Sequence, residues 1–153
     1  MEAARKSTWI LVADRARARL FELTPHKDGA ALIEIKDFIN SEGRGSERDQ
    51  VTEGRPRAHE SMGATRHAIE PHTSLRDKSA NRFAQELGES LEQGRVSHRY
   101  ERLVLVALPH FLVTVHAKLN RHVCECVVAE VPHELTTKGP AEIRSYLPER
   151  LCS

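Results

Sequence analysis

Apolar residues recur at two different periods along this chain, and the change of period divides it into parts. Thr8 to Ala13 (TWILVA) is β-branched and apolar, and after Asp14 a second run alternates Arg15, Arg17 and Arg19 with Ala16, Ala18 and Leu20. The two runs read as a tight hairpin. A third strand is predicted over Leu32–Ile39, where Ile33 and Ile35 alternate with Glu34 and Lys36 after a turn at Pro25–Gly29. The period then lengthens. Ala80, Phe83, Ala84, Leu87 and Leu91 recur at helical spacing, with Ser74 and Asp77 placed as a capping box and Gly94 as a stop. Arg102 to Ala107 (RLVLVA) is continuously apolar, as in a strand buried on both faces. Pro109 opens a second helix with Phe111, Leu112, Val115 and Leu119 on one face, closing near Asn120. Val123–Val131 reads as a fifth strand and Pro140–Leu147 as a short last helix. This order predicts a single α/β domain over residues 1–153 with a mixed five-stranded sheet. Three antiparallel strands precede two crossover strands, with about three helices, in a ribonuclease-H-like arrangement.

Between the two periods, from Asn40 to about Thr73, lies a stretch of another kind. It holds Gly43, Gly45, Gly54, Gly63, Pro56 and Pro71 among charged and small polar residues, with Val51, Met62 and Ile69 as its sizeable apolar residues. Such a segment cannot build a core, and it is expected to be a long flexible loop at about 40–74. Insertions longer than about 15 residues are as a rule functional or disordered. Its charges nearly balance, which describes a solvated polyampholyte. The same stretch with its flank supplies Arg55, Arg57, Arg66 and Arg76 with His59, His67 and His72, a set suited to folding around an RNA backbone. No aromatic residue lies between Phe38 and Phe83, so shape and phosphate contacts rather than base stacking would carry such binding. The three histidines match no zinc-ligand spacing, and no cysteine is near them.

Composition narrows the choice further. The 153 residues are 39% hydrophobic, 29% charged and 5% aromatic, the make-up of a soluble globular domain. A net charge of +1 gives no long-range field to gather nucleic acid, so any such binding must be local. The apolar run from Leu103 to Val115 is broken by Pro109 and His110 and is shorter than the roughly 20 residues of a membrane span. Met1–Ser7 has no apolar secretory core, and three cysteines make a poor disulfide framework, so a reducing, cytoplasmic setting is expected.

Several constellations bear on chemistry. Arg15, Arg17 and Arg19 at period two form a comb able to meet successive phosphates; alternatively Arg17 and Arg19 pair with Glu34 or Glu22 on the neighbouring surface. Asp14 ends the first strand, where it either holds the hairpin by accepting backbone N–H groups or, with Asp77 or Glu86, serves a metal-dependent nuclease. The fourth strand offers no carboxylate for a two-metal site. His122, Cys124 and Cys126 would share one face of the fifth strand, as three metal ligands or as packed side chains. Cys152 falls at a terminus expected to fray, where exposure would make it reactive. No nucleophile elbow, phosphate-binding glycine loop or dinucleotide fingerprint is present.

The blocks Trp9-Ile10-Leu11-Val12-Ala13-Asp14 and Ala16-Arg17-Ala18-Arg19-Leu20-Phe21-Glu22 stand in one order with Arg82-Phe83-Ala84, with Arg102 to Ala107 and with Pro109, Phe111 and Leu112. Val128-Ala129-Glu130-Val131 and Pro140-Ala141-Glu142-Ile143-Arg144 complete the series. Over about residues 8 to 147 this pattern resembles the bacterial host-attachment protein family. That family is similar in turn to the middle domain of archaeal and eukaryotic peptide-chain release factors, whose loop before the first long helix carries a Gly-Gly-Gln tip. Gly63-Ala64-Thr65-Arg66-His67 stands in that neighbourhood here, with neither a double glycine nor a glutamine. The resemblance implies a cytoplasmic, non-catalytic binding module that meets the ribosome, its rRNA or tRNA. The loop residues Gly63, Arg66, His67, Arg55 and Arg57 and the strand-face residues Arg15, Arg17 and Arg19 would make the contact, with no cofactor, metal or membrane. A second reading is a regulatory factor whose loop binds a protein partner and affects attachment to host cells indirectly. The third is a metal-dependent hydrolase using Asp14 and helix carboxylates.

Overall fold

A run with no polar position is stable only in the middle of a sheet, and that is where Thr8–Ala13 (β1) lies. In the computed structural model, which describes residues 7–26, 29–40 and 65–152, every residue of β1 is buried. β1 pairs antiparallel with Arg17–His26 (β2) and parallel with Arg102–Val106 (β4). Gly29–Ile39 (β3) continues the sheet beyond β2, and Val127–Val131 (β5) lies beyond β4, giving the order β3-β2-β1-β4-β5. The mixed five-stranded α/β sheet expected from the pattern is therefore present.

Alternation along the central strands feeds two cores. Trp9, Leu11 and Ala13 of β1, with Leu103 and Leu105 of β4, face the first. Ile10, Val12, Val104 and Val106 face the second. Each such side chain, once buried, contributes roughly 1.5–3 kcal/mol, so β1 and β4 together dominate the stability of the sheet. The first core is covered by the helices Thr65–Val96 (α1), Pro109–Ala117 (α2) and Arg121–Cys126 (α3). Over the second core lie Leu135 and the short helices Pro140–Ser145 (α4) and Glu149–Cys152 (α5), through Ile143, Leu147 and Leu151.

Several boundaries and the number of helices differ from the pattern; β3, for one, starts at Gly29 rather than Leu32. α1 begins at Thr65, upstream of the Ser74 and Asp77 box, and its buried period starts only at Ser79 and Ala80, after the exposed Leu75 to Lys78. β2 runs through Pro25 to His26, where it pairs with β3 alone, since the pairing with β1 ends at Leu23. The expected start of β5 at Val123 is displaced to Val127, because Asn120 caps a helical turn by accepting the Val123 N–H at 2.8 Å. Five helices, rather than about three, follow among the described residues, since α3 and α5 are too short to show a period.

β3 carries a bulge where its register shifts opposite Leu20 and Phe21. One extra residue lets Leu32 point into the second core and Phe38 into the first.

Gly94 does not stop α1, which continues to Val96. It is required by close packing: a Cβ there would stand 2.5 Å from two ring atoms of Trp9, which stacks on Tyr100 at 4.7 Å. The Tyr100 hydroxyl donates to the Leu91 carbonyl at 2.7 Å, locking that ring in turn. Gly94→Ala gains about 1 kcal/mol of helix propensity and displaces the Trp9 ring at about 1–3 kcal/mol. A net loss of stability in denaturant unfolding, with weakened near-ultraviolet Trp dichroism, is the expected outcome.

Candidate binding cleft at the ends of the parallel strands

Where β1 ends, Asp14 turns the chain. Its Oδ1 accepts the N–H groups of Ala16 and Arg17, both at 2.8 Å, while its own N–H donates to the Arg17 carbonyl at 2.8 Å. This is the hairpin-holding role read from the sequence. Oδ2 accepts the Thr136 hydroxyl at 3.2 Å, and the same hydroxyl contacts Glu134 Oε2, which also accepts the Thr136 N–H at 3.3 Å. The hairpin is thereby tied to the segment that follows β5, around a Thr136 that is fully buried.

The end of β3 closes onto the same corner. Asn40 donates its N–H to the Ala16 carbonyl at 2.9 Å, and its Nδ2 donates to the Arg15 carbonyl at 2.9 Å and to Ser79 Oγ at 3.2 Å. Both Asn40 and Ser79 are buried, so these bonds fix the backbone of Arg15 against α1.

Between the hairpin, α1 and the start of α2 opens a cleft of about 460 Å³ whose lining includes Asp14, Arg15, Arg76, His110, Phe111 and Glu134. A second lobe of about 570 Å³ continues from Arg15 and Arg76 toward Asp77 and Thr114. Its place follows from the topology. β1 leads the chain out to β2 on one side, and β4 leads it toward β5 on the other, so the carboxyl ends of β1 and β4 flank a switch point in strand order. Open α/β sheets bind ligands at such points. α2 starts beside the cleft with Leu108 as its N-cap residue, no side-chain cap and no acidic residue of its own in its first turn.

Of the three comb arginines, Arg17 and Arg19 stand two apart on β2 and Arg15 precedes the strand. Arg15 lies in the hairpin before β2 and lines the cleft. Arg17 pairs with Asp37 at 3.4 Å, both well exposed. Arg19 is the structural member. It meets Glu34 at 2.9 and 3.2 Å and donates to the carbonyls of Thr136 and Lys138 at 3.0 and 2.7 Å, with only 11% of its side chain exposed. The pairing with Glu34 is the alternative that the sequence offered.

Of the loop residues, Arg55, Arg57 and Gly63 lie outside the described residues. Arg66 and His67 fall in the first turn of α1, their side chains outside what is described. His122, Cys124 and Cys126 share no strand face, because they stand on helix α3, where Cys124 lies two residues from each of the others and so off the face that His122 and Cys126 share. Cys124 Sγ lies 3.9 Å from the Leu119 carbonyl, and Cys126 Sγ lies 3.5 Å from the His122 carbonyl. Cys126 packs against the first core, and burial pushes its thiol pKa up. Cys152 is not frayed: it ends α5 and packs against the second core. Among the described residues no three or more His, Cys, Asp and Glu side chains come together as a metal site. Beside α3, hydrogen bonds from Arg95 and then Asn120 hold the Glu92 carboxyl down at about 2.

The strand order and the helices on both faces define an α/β protein of mixed sheet with its cleft at the carboxyl ends of β1 and β4. The family described as proteins required for attachment to host cells matches residues 9–147, from the first core face of β1 to Leu147, and the chain belongs to that family. No curated protein matches the chain. Among the described residues no helix is long and apolar enough to cross a membrane.

Two outcomes are expected. Arg19→Ala strands two backbone carbonyls and the Glu34 carboxylate, lowering unfolding stability by about 2 kcal/mol, whereas Arg17→Ala at an exposed pair changes it by less than about 0.5 kcal/mol. Glu92 has a carboxyl depressed from 4.5 to about 2, so its contribution is present above pH 4.5 and is lost as pH falls toward 2. In thermal unfolding at stepped pH, Glu92→Gln removes that part of the acid sensitivity; an unchanged acid limb in the variant would refute the assignment.

Proposed function

We propose that this host-attachment family protein is a non-catalytic cytoplasmic binding module that associates with ribosomal RNA or tRNA. One observation carries the reading: Asn40, after which the arginine-bearing stretch 41–64 follows in the sequence, lines one cleft with Arg15, Arg76 and His110. Arg55 and Arg57 belong to the stretch that follows Asn40 in the sequence, and phosphate contacts from such arginines with Arg15 and Arg76 would position a protein on RNA without reading bases. The resemblance to the release-factor middle domain supports the same direction. Exposed Ile33, Ile35 and Ile39 on the edge strand β3 favour a second reading, a regulatory factor that docks a protein partner.

The test is sedimentation of the full chain in lysate over a density gradient at low and moderate salt, with and without ribonuclease. Co-migration with ribosomal particles is expected, falling steeply with salt. The combined replacement of Arg55, Arg57, Arg66 and His67 by alanine should reduce it at least about tenfold. A chain that stays at the top of the gradient under every condition overturns the RNA reading and leaves the protein-partner one.

A further inference from the structure

We propose that the exposed ring pair of Tyr146 and His133 is a stacking platform for an unpaired base of RNA. Such a platform rests on the RNA reading and deepens it: the loop arginines contact phosphates, and the rings contact bases.

The chain has one Trp, two Tyr and four Phe residues. Trp9, Tyr100 and all four Phe are buried, whereas Tyr146 is 40% exposed. Its ring centroid lies 4.8 Å from that of His133, with the two planes tilted by 56°, and His133 is exposed as well. Both rings stand on fixed backbone. Tyr146 is the C-cap residue of α4 and donates its N–H to the Ile143 carbonyl at 3.0 Å, with Ile143 and Leu147 buried on either side of it in the chain. His133 donates its N–H to the Val131 carbonyl at 2.9 Å, with Val131 and Leu135 buried on either side. All four of those apolar side chains belong to the second core, so the core presents the two rings at the surface with little left to order on binding. A nucleobase of any sequence has a face that packs on such a ring. The carboxylates of Glu134, next to His133, and Glu142, one turn before Tyr146, repel phosphate. The platform therefore meets the neutral base, and the phosphates lie elsewhere. Glu134 also lines the cleft with Asn40, which puts His133 at the same end of the sheet as the residues behind the RNA reading.

Fluorescence anisotropy of the full chain at low salt tests this with three labelled oligomers: a single-stranded adenine oligoribonucleotide, an oligomer of equal length with abasic spacers in place of bases, and an RNA duplex. The single strand is expected to bind at least about tenfold tighter than the abasic oligomer. Tyr146→Ala should weaken the single strand about tenfold, leaving the abasic oligomer, the duplex and the unfolding midpoint unchanged. Tyr146→Phe keeps the ring and should retain wild-type affinity, and His133→Ala should fall between the two. Equal wild-type affinity for the single strand and the abasic oligomer, or full affinity in Tyr146→Ala, would overturn the platform while leaving phosphate-borne RNA association intact. A loss in Tyr146→Ala shared equally by the abasic oligomer would overturn it too, as the mark of altered structure rather than of a lost stacking partner. Binding of no oligomer also overturns the platform; ribosome association is read separately from the gradient, so each can fail alone.

Discussion

β1 has no solvent-facing residue, so it can be a strand only if both faces of the sheet are covered at once. That single constraint organises the rest of the molecule. The long helix α1 and the pair α2 and α3 must settle on one face, while the small helices after β5 must return to the other. Because β1 and β4 are parallel neighbours, their carboxyl ends open side by side. The connections that leave them diverge, and the space between those connections is the cleft. The same burial that stabilises the centre of the sheet therefore leaves a polar corner at its end, where Asp14, Thr136 and Glu134 tie the hairpin to the segment after β5.

Much of this was legible from pattern. Continuous apolar runs announced β1 and β4, and alternation announced the β1–β2 hairpin. The spacing of Ala80, Phe83, Ala84, Leu87 and Leu91 announced the buried part of α1. What the pattern could not show has physical reasons. A helix of six residues such as α3 spans less than two turns, so its signal was the cap at Asn120 rather than a period. Pro25 and Gly94 are breakers by local propensity; tertiary context made one a strand residue beyond the reach of β1 and the other a contact surface for an aromatic ring.

The cleft was harder still. Its residues come from the hairpin, from Asn40 at the end of β3, from one turn of α1, from the start of α2 and from the segment after β5. Arg15 and Arg76 had been singled out in the sequence, yet as members of other sets, a strand comb and a loop cluster. Asn40, Ser79, His110, Glu134 and Thr136 carried no motif, because what joins them is the switch in strand order and not their spacing. The arginine comb illustrates the reverse: a regular sequence pattern whose three members the fold sends to three different tasks, one at the cleft, one at an exposed ion pair and one as a rivet on backbone carbonyls.

The bulge in β3 bears on how this protein meets other chains. An edge strand with three exposed isoleucines would, if flat, invite any unpaired strand to zip along it. The extra residue kinks the edge and interrupts its even ladder spacing. A generic β-segment cannot follow such a contour for long, so the strand turns away casual company.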